Sequence, residues 1–395
     1  MIVGVPVETY PNEKRVALIP AVIPALLKLE IEVYLQKGAG ENAGYLDADY
    51  ENKGAKLVSE RAGIFSSADV LLGVNSLGAN LEADSDSINL LRSGQIIIGL
   101  LNPLGSPEYA QKLAAIGVDA FALELLPRIA RAQPMDVLSS MASIAGYKSV
   151  LLAAEALNKL FPMMITAAGT ITPAHVFVVG VGVAGLQAIA TAKRLGAVIR
   201  AYDVRPAVKE QVESLGAKFV EMELDTEESE TSGGYAKAMD EEFYRRQREM
   251  MTQVVAESDV VITTALIPGK KAPILITEEM VKGMSTGSVI VDLAAEGGGN
   301  CELTKSGETI EAHGVQIIGT ENLASTIPHH ASQMYAKNLT AFLNILVENG
   351  GLNINMDDEI IRDTLLTYRG EVVNPRVKEL LGMSESQSKD ERSNS

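Results

Sequence analysis

The string Gly180-Val181-Gly182-Val183-Ala184-Gly185 carries the most specific chemistry in the chain. Glycines at its first, third and sixth positions suit a strand-to-helix turn that receives a pyrophosphate on a helix N-terminus. The apolar run His175-Val176-Phe177-Val178-Val179 leads into it, and a helix over Leu186–Leu195 is expected to leave it. Gly180 would allow the tight turn, Gly182 would let the backbone approach the phosphates, and Gly185 would let helix and strand pack closely. The next apolar run ends at Asp203, which sets a carboxylate 23 residues beyond Gly180. An acid there accepts hydrogen bonds from the adenosine ribose and repels a 2′-phosphate, so the expected cofactor is NAD(H). Arg205 follows closely, and an arginine at that place can also accommodate a 2′-phosphate. Glycines serving only a tight turn are the structural alternative.

Three further strings hold polar groups at spacings that suit ligand contact. Residues 128–140, Arg-Ile-Ala-Arg-Ala-Gln-Pro-Met-Asp-Val-Leu-Ser-Ser, place two guanidinium groups, an amide, a carboxylate and hydroxyls within thirteen residues. Ser139 could equally be the N-cap of the helix that follows, with Asp136 as its first-turn acid. Thr263–Gly269 and Ala294–Asn300 each follow an apolar run, where ligands sit at strand ends of open sheets, although plain loop glycines would read the same way. Ser232-Gly233-Gly234-Tyr235 reads as a hinge carrying an aromatic lid, after a run of six acidic residues within 221–230 that suits a solvated face.

The elements that must position these groups are legible from periodicity. Strands are expected at 2–6, 32–36, 69–74, 95–101 and 118–125, and again at 175–179, 198–203, 259–264, 288–293 and 315–319. Helical patterns such as Pro20–Glu30 lie between several of them, and that alternation marks open, mostly parallel sheets. A long Ala-rich helix from about Ser139 to Leu160 looks like a connector between two lobes, and a final helix from about His330 to Glu348 looks as if it returns to the first. The expected fold is α/β, with two Rossmann-like βα lobes and a cleft between them. The first lobe takes 1–138 plus about 328–380, the NAD-binding lobe takes 139–327, and residues 384–395 form a disordered tail.

Composition narrows the function classes. The chain has 395 residues, 47% hydrophobic and 22% charged, which is globular and long enough for two domains. Its net charge of −17 argues against nucleic acid and bare anionic lipid as partners, since both need a basic face. The single cysteine, Cys301, removes a disulfide framework and any multi-cysteine metal site, and the four histidines show no metal-ligand spacing beyond the pair His329-His330. No metal is expected. No apolar run reaches the roughly 18 residues that span a bilayer, and the N-terminus has no signal-peptide layout, so a cytoplasmic chain without membrane insertion is expected.

At Arg128–Ser140, Thr166–Thr170, Gly180–Leu195, Asp203–Arg205, Gly233–Lys237, Thr263–Gly269 and Glu296–Cys301, the chain resembles the soluble NAD(H)-binding domain of proton-translocating NAD(P) transhydrogenase, the leading portion of its alpha subunit. The resemblance covers roughly residues 1–380 and is strongest from 124 to 320. It implies that Arg128, Ile129, Ala130, Arg131 and Gln133 contact the cofactor, with Arg128 and Gln133 orienting the nicotinamide end and Asp136 and Ser139 completing that network. Gly180, Gly182, Val183 and Gly185 would hold the pyrophosphate, and Asp203, Val204 and Arg205 the adenosine ribose region. Gly234 and Tyr235 would form a mobile loop over the nucleotide, while Gln247 and Leu266 complete its walls. The resemblance further implies NADP(H) on a partner subunit, membrane-spanning subunits that hold the chain peripherally at the membrane, and a homodimer.

The same fold family contains alanine dehydrogenase, which uses a lysine and a histidine in the first lobe. This chain has Gly73-Val74-Asn75 and Gly99-Leu100-Leu101-Asn102-Pro103 in the matching loops, with Arg15 kept. That favours hydride exchange between two nicotinamides over amine oxidation. An alanine dehydrogenase-like oxidoreductase and a non-catalytic NAD-binding protein are the alternatives.

Overall fold

The computed structural model describes residues 1–76, 79, 84–221, 241–266, 269–348 and 350–383, and two compact units divide them. One comprises Met1–Ser140 with the chain from Ser325 onward; the other is Met141–Ala324. Each is built on its own sheet.

In the first unit the strands lie side by side in the order Glu371–Val372, Leu365–Tyr368, Asp119–Ala122, Ile96–Leu100, Val70–Asn75, Ile2–Val5, Glu32–Gln36, Lys56–Val58. The six from Ile2 to Ala122 are parallel, and Leu365–Tyr368 and Glu371–Val372 extend one edge antiparallel. Val70–Val74 and Ile96–Gly99 are buried throughout, as expected of β-branched and leucine runs covered on both faces. Counted along the chain, the parallel strands lie in the order 3-2-1-4-5-6, so the switch point falls between Ile2–Val5 and Val70–Asn75.

The second unit repeats that order with other residues. Its sheet runs Lys218–Phe219, Val198–Tyr202, His175–Val179, Val260–Thr263, Val289–Asp292, Val315–Gly319, and ends in the antiparallel Thr309–Ala312. His175–Val179 pairs with Val198–Tyr202 on one side and Val260–Thr263 on the other, which sets the switch point at its carboxyl end.

Several elements differ from the expected bounds, each for a local reason. The connector helix spans Val137–Ala156, because Asp136 rather than Ser139 caps it. The Asp136 carboxylate accepts from the Ser139 amide at 2.9 Å and from the Ser139 hydroxyl at 2.6 Å, which makes Ser139 the third helical residue. By length and composition this helix could cross a membrane, with a mean hydropathy of 1.4, although no such run was expected. It still carries Lys148 and Glu155, and its Val150 and Ala153 belong to the core of the second unit. The first helical stretch is a 3₁₀ turn, Pro20–Val22, followed by helix Ile23–Lys28. The late helix begins at Pro328, a residue whose ring suits a first turn, and ends at Leu346. Lys56–Val58, the hairpin of Met164–Thr166 with Gly169–Ile171, and the two antiparallel edge strands of the first unit were not foreseen. All are short.

Candidate functional site

At the switch point of the second unit the glycine string turns the chain straight from strand into helix. Gly180 has φ +92°, a region open to glycine, and its amide donates to the Tyr202 carbonyl at 2.9 Å. Helix Val183–Arg194 starts at once, three residues earlier than Leu186, with Gly182 as its N-cap. A Cβ on Gly185 would lie 2.0 Å from the Gly180 carbonyl oxygen, so only glycine lets helix and turn approach this closely. A Cβ on Gly182 would meet nothing within 4 Å, which leaves open space over the amide ends of the helix. Those are the three roles expected of the string, and a pyrophosphate fits the open position. Lys193 and Arg194 sit in the last turn, where they complement the helix dipole.

Asp203 serves the turn as well as facing it. Its carboxylate accepts from the Val181 amide at 2.7 Å, the Arg205 amide at 2.9 Å, and the Arg205 guanidinium at 2.9 and 3.0 Å. Four donors fill the lone pairs of one carboxylate. Asp203 therefore ties the glycine turn to Arg205, and Val204 between them is half-buried. Gln247 is buried and donates to the Tyr202 hydroxyl at 3.1 Å, while Val183 and Leu266 are exposed.

The facing loops rest on a network that residue types alone did not reveal. Thr264 donates its hydroxyl to the Gly180 carbonyl at 2.9 Å. Asn300, fully buried, accepts from the Ala265 amide and donates to the carbonyls of Ala265 and Pro273. Asp292 ends a buried strand and accepts from Thr263, Ala294, Asn300, Cys301 and Thr304. An acid closing the run Val289-Ile290-Val291 was the available signal. Cys301 lies beneath, where burial pushes its thiol up to about 11, an inert structural setting.

In the first unit, Arg128–Ser140 folds into a 3₁₀ helix over Ala130–Met135. Arg128, Ala130, Arg131 and Gln133 are exposed and Ile129 is half-buried, while Ala132 and Met135 anchor the segment inward. Arg131, expected at the cofactor, spends its fork on Asp358, with bonds of 2.7 and 2.5 Å. Gly234 and Tyr235 lie outside the described residues, as do Ile267 and Pro268 of the Thr263–Gly269 string and the tail from Ser384.

The switch point of the first unit holds carboxylates instead of a glycine turn. Glu8 accepts from the Val74 and Asn75 amides, and burial together with the neighbouring Glu13 pushes its carboxyl up to about 7. Glu13 closes on Arg15 with bonds of 2.8 and 2.6 Å and also accepts from the Asn75 amide group at 2.6 Å. Tyr335 donates to the Gly73 carbonyl at 2.8 Å. Glu124 accepts from the Leu101 and Asn102 amides, and burial pushes it up to about 7. Beside Glu8, Asn75 and Arg61 lies a cavity of about 40 Å³, room for a few waters.

Two sheets of one strand order, the second bearing a dinucleotide turn at its switch point, define the class. The alanine dehydrogenase/PNT N-terminal domain matches residues 4–145 and the corresponding C-terminal domain matches residues 149–375, so the chain belongs to that family. Within it the similarity is greater to transhydrogenase. In Rhodospirillum rubrum the NAD(P) transhydrogenase alpha subunit is divided, and its first polypeptide is 46% identical over 95% of this chain and 98% of its own length. The crystal structure of transhydrogenase from Sinorhizobium meliloti superposes with a TM-score of 0.82 at 43% identity, over 95% of this chain and 99% of that one. An L-alanine dehydrogenase structure gives 0.80 at 26% identity, over 97% and 99%. The chain is thus a member of the transhydrogenase alpha-subunit group of the family.

Proposed function

We propose that this chain is the NAD(H)-binding component of a proton-translocating transhydrogenase. It would bind NADH while a partner subunit holds NADP+, with proton movement carried by separate membrane subunits and the chain peripheral to the membrane as a homodimer. The observation that carries this reading is the contrast between the two switch points. The second unit keeps a complete dinucleotide turn; in the first, the loop positions matching those of amine chemistry hold Asn75, bonded to Glu13, and Asn102.

Gly180, Gly182, Val183 and Gly185 would hold the pyrophosphate, and the Asp203–Arg205 pair would face the adenosine ribose. Arg128 and Gln133 would orient the nicotinamide end, with the Asp136–Ser139 cap fixing where their segment meets its helix. Gln247 and Leu266 would form walls, and Gly234 with Tyr235 a closing loop. When bound, NADH supplies the hydride, and the chain supplies positioning and the exclusion of water. No side chain has to take up a proton.

The test mixes the purified chain with an NADP(H)-binding transhydrogenase component and follows the passage of hydride from NADH to thio-NADP+ by absorbance. Exchange that requires both proteins supports the reading. No exchange, together with alanine-dependent reduction of NAD+ by the chain alone, contradicts it and favours alanine dehydrogenase.

A further inference from the structure

A six-residue 3₁₀ helix with a proline inside it, such as Ala130–Met135, does not hold its own shape in water. Two side chains from the C-terminal part of the first unit hold it from outside. Asn338, on helix Pro328–Leu346, donates from Nδ2 to the Pro134 carbonyl at 2.7 Å. Asp358 takes the Arg131 guanidinium on both of its oxygens, at 2.7 and 2.5 Å. Asp358 is fixed in turn: it is the N-cap of helix Glu359–Thr364, and its Oδ1 accepts from the Ile360 amide at 2.9 Å. The guanidinium holds the Asp358 carboxyl below the usual carboxylate range, so the pair stays ionised at neutral pH.

We infer that Asp358 is a positioning residue for the nicotinamide-orienting segment, acting through Arg131, and that Arg131 is structural to that segment rather than a ligand of the cofactor. The inference rests on the proposed function for what the segment does, and on the geometry alone for what holds it. Two neighbours within the segment, Arg128 and Gln133, keep their heads exposed while Arg131 is turned onto Asp358. A half-exposed ion pair contributes little to global stability, so its effect falls on local geometry. A small misplacement of an orienting group costs rate more than affinity.

The variant is Asp358→Asn, which keeps an N-cap acceptor and removes the charge. With the partner component present, kcat for exchange between NADH and thio-NADP+ falls about tenfold. The NADH Kd of the isolated chain stays within about twofold, and Asp358→Glu recovers most of the rate. Combining Asp358→Asn with Arg131→Gln is no slower than the worse single change, as expected of two groups acting as one. Hydrogen exchange at the amides of residues 130–136, which needs no turnover, is faster in Asp358→Asn. An unchanged kcat beside an active wild type, or unchanged exchange at those amides, overturns the inference. So does weaker NADH binding in Arg131→Gln alone, which would make Arg131 a direct ligand. An inactive wild type overturns the proposed function instead, and the amide exchange still decides the clamp.

Discussion

In the second unit the chain passes from strand at Val179 to helix at Val183 through three residues; in the first it leaves the strand at Val5 and does not enter a helical turn until Pro20. Both loops stand at the switch point of a 3-2-1-4-5-6 parallel sheet, the place where such folds hold ligands. The short loop is backbone chemistry: glycines clear the way and amides point outward. The long loop is side-chain chemistry, in which Glu8 and Glu13 fold back onto Arg15, Asn75 and the ends of neighbouring strands. One switch point stays open for an anion, and the other is filled by the protein's own carboxylates. A shared topology does not carry a shared use.

The largest expected way to break this contrast is Gly185→Ala. Its Cβ would lie 2.0 Å from the Gly180 carbonyl, so turn and helix must part, at a cost of about 3 kcal/mol and with loss of NADH binding. Urea unfolding and fluorescence titration measure the two losses. A stable variant that still binds NADH would show that the close approach is unnecessary.

The carboxylate site makes a comparable prediction in pH. Glu8 has an ordinary value of 4.5 in the unfolded chain and about 7 in the fold. Between those values the folded state holds a proton that the unfolded state has released. The contribution of Glu8 to stability is therefore full below pH 4.5 and is lost as pH rises through 7, by about 2 to 3 kcal/mol. Glu124, also raised to about 7, adds in the same direction. Glu8→Gln should flatten the fall measured by unfolding at pH 5 and pH 7.5; an unaltered slope would assign the proton elsewhere.

Gly182→Ala separates fold from ligand. Its Cβ meets nothing within 4 Å and its φ of −81° suits alanine, so melting should barely move. NADH affinity should fall about tenfold if the open space receives the pyrophosphate, a difference of roughly 1.4 kcal/mol. Equal affinity would place the phosphates elsewhere. The smallest effect is expected at Asp136→Ala, which removes the cap of the connector helix and should cost about 1 kcal/mol in urea unfolding. No loss would return the cap to Ser139.

What could be read in advance divides along the same line. The glycine turn was legible because each glycine answers a backbone demand that no other residue meets. Strands such as 32–36, 175–179 and 315–319 were legible because buried β-branched runs have few other uses. Helix starts were misplaced by a few residues where the cap was misassigned, at Asp136, or where the turn itself was the cap, at Gly182. The edge strands Leu365–Tyr368 and Glu371–Val372 are too short to declare a period. Pairings across long stretches of chain left no trace in spacing. Arg131 with Asp358, Glu8 with the Val74 amide, and Asn300 with Ala265 exist only once the sheet order has brought them together. Arg131 shows the consequence: an arginine in a ligand-like string turned out to be held by a carboxylate over two hundred residues away.

The open switch point of Gly180–Gly185 is assigned to a nicotinamide whose hydride passes directly to a second nicotinamide on another protein. The most direct measurement gives the chain and its NADP(H)-binding partner NADH deuterated at the transferred position, and follows the label by mass spectrometry. The predicted result is deuterium recovered in NADPH, none exchanged into water, and no requirement for alanine. Deuterium lost to solvent, or recovered in alanine when pyruvate and ammonia are supplied to the chain alone, would contradict the account.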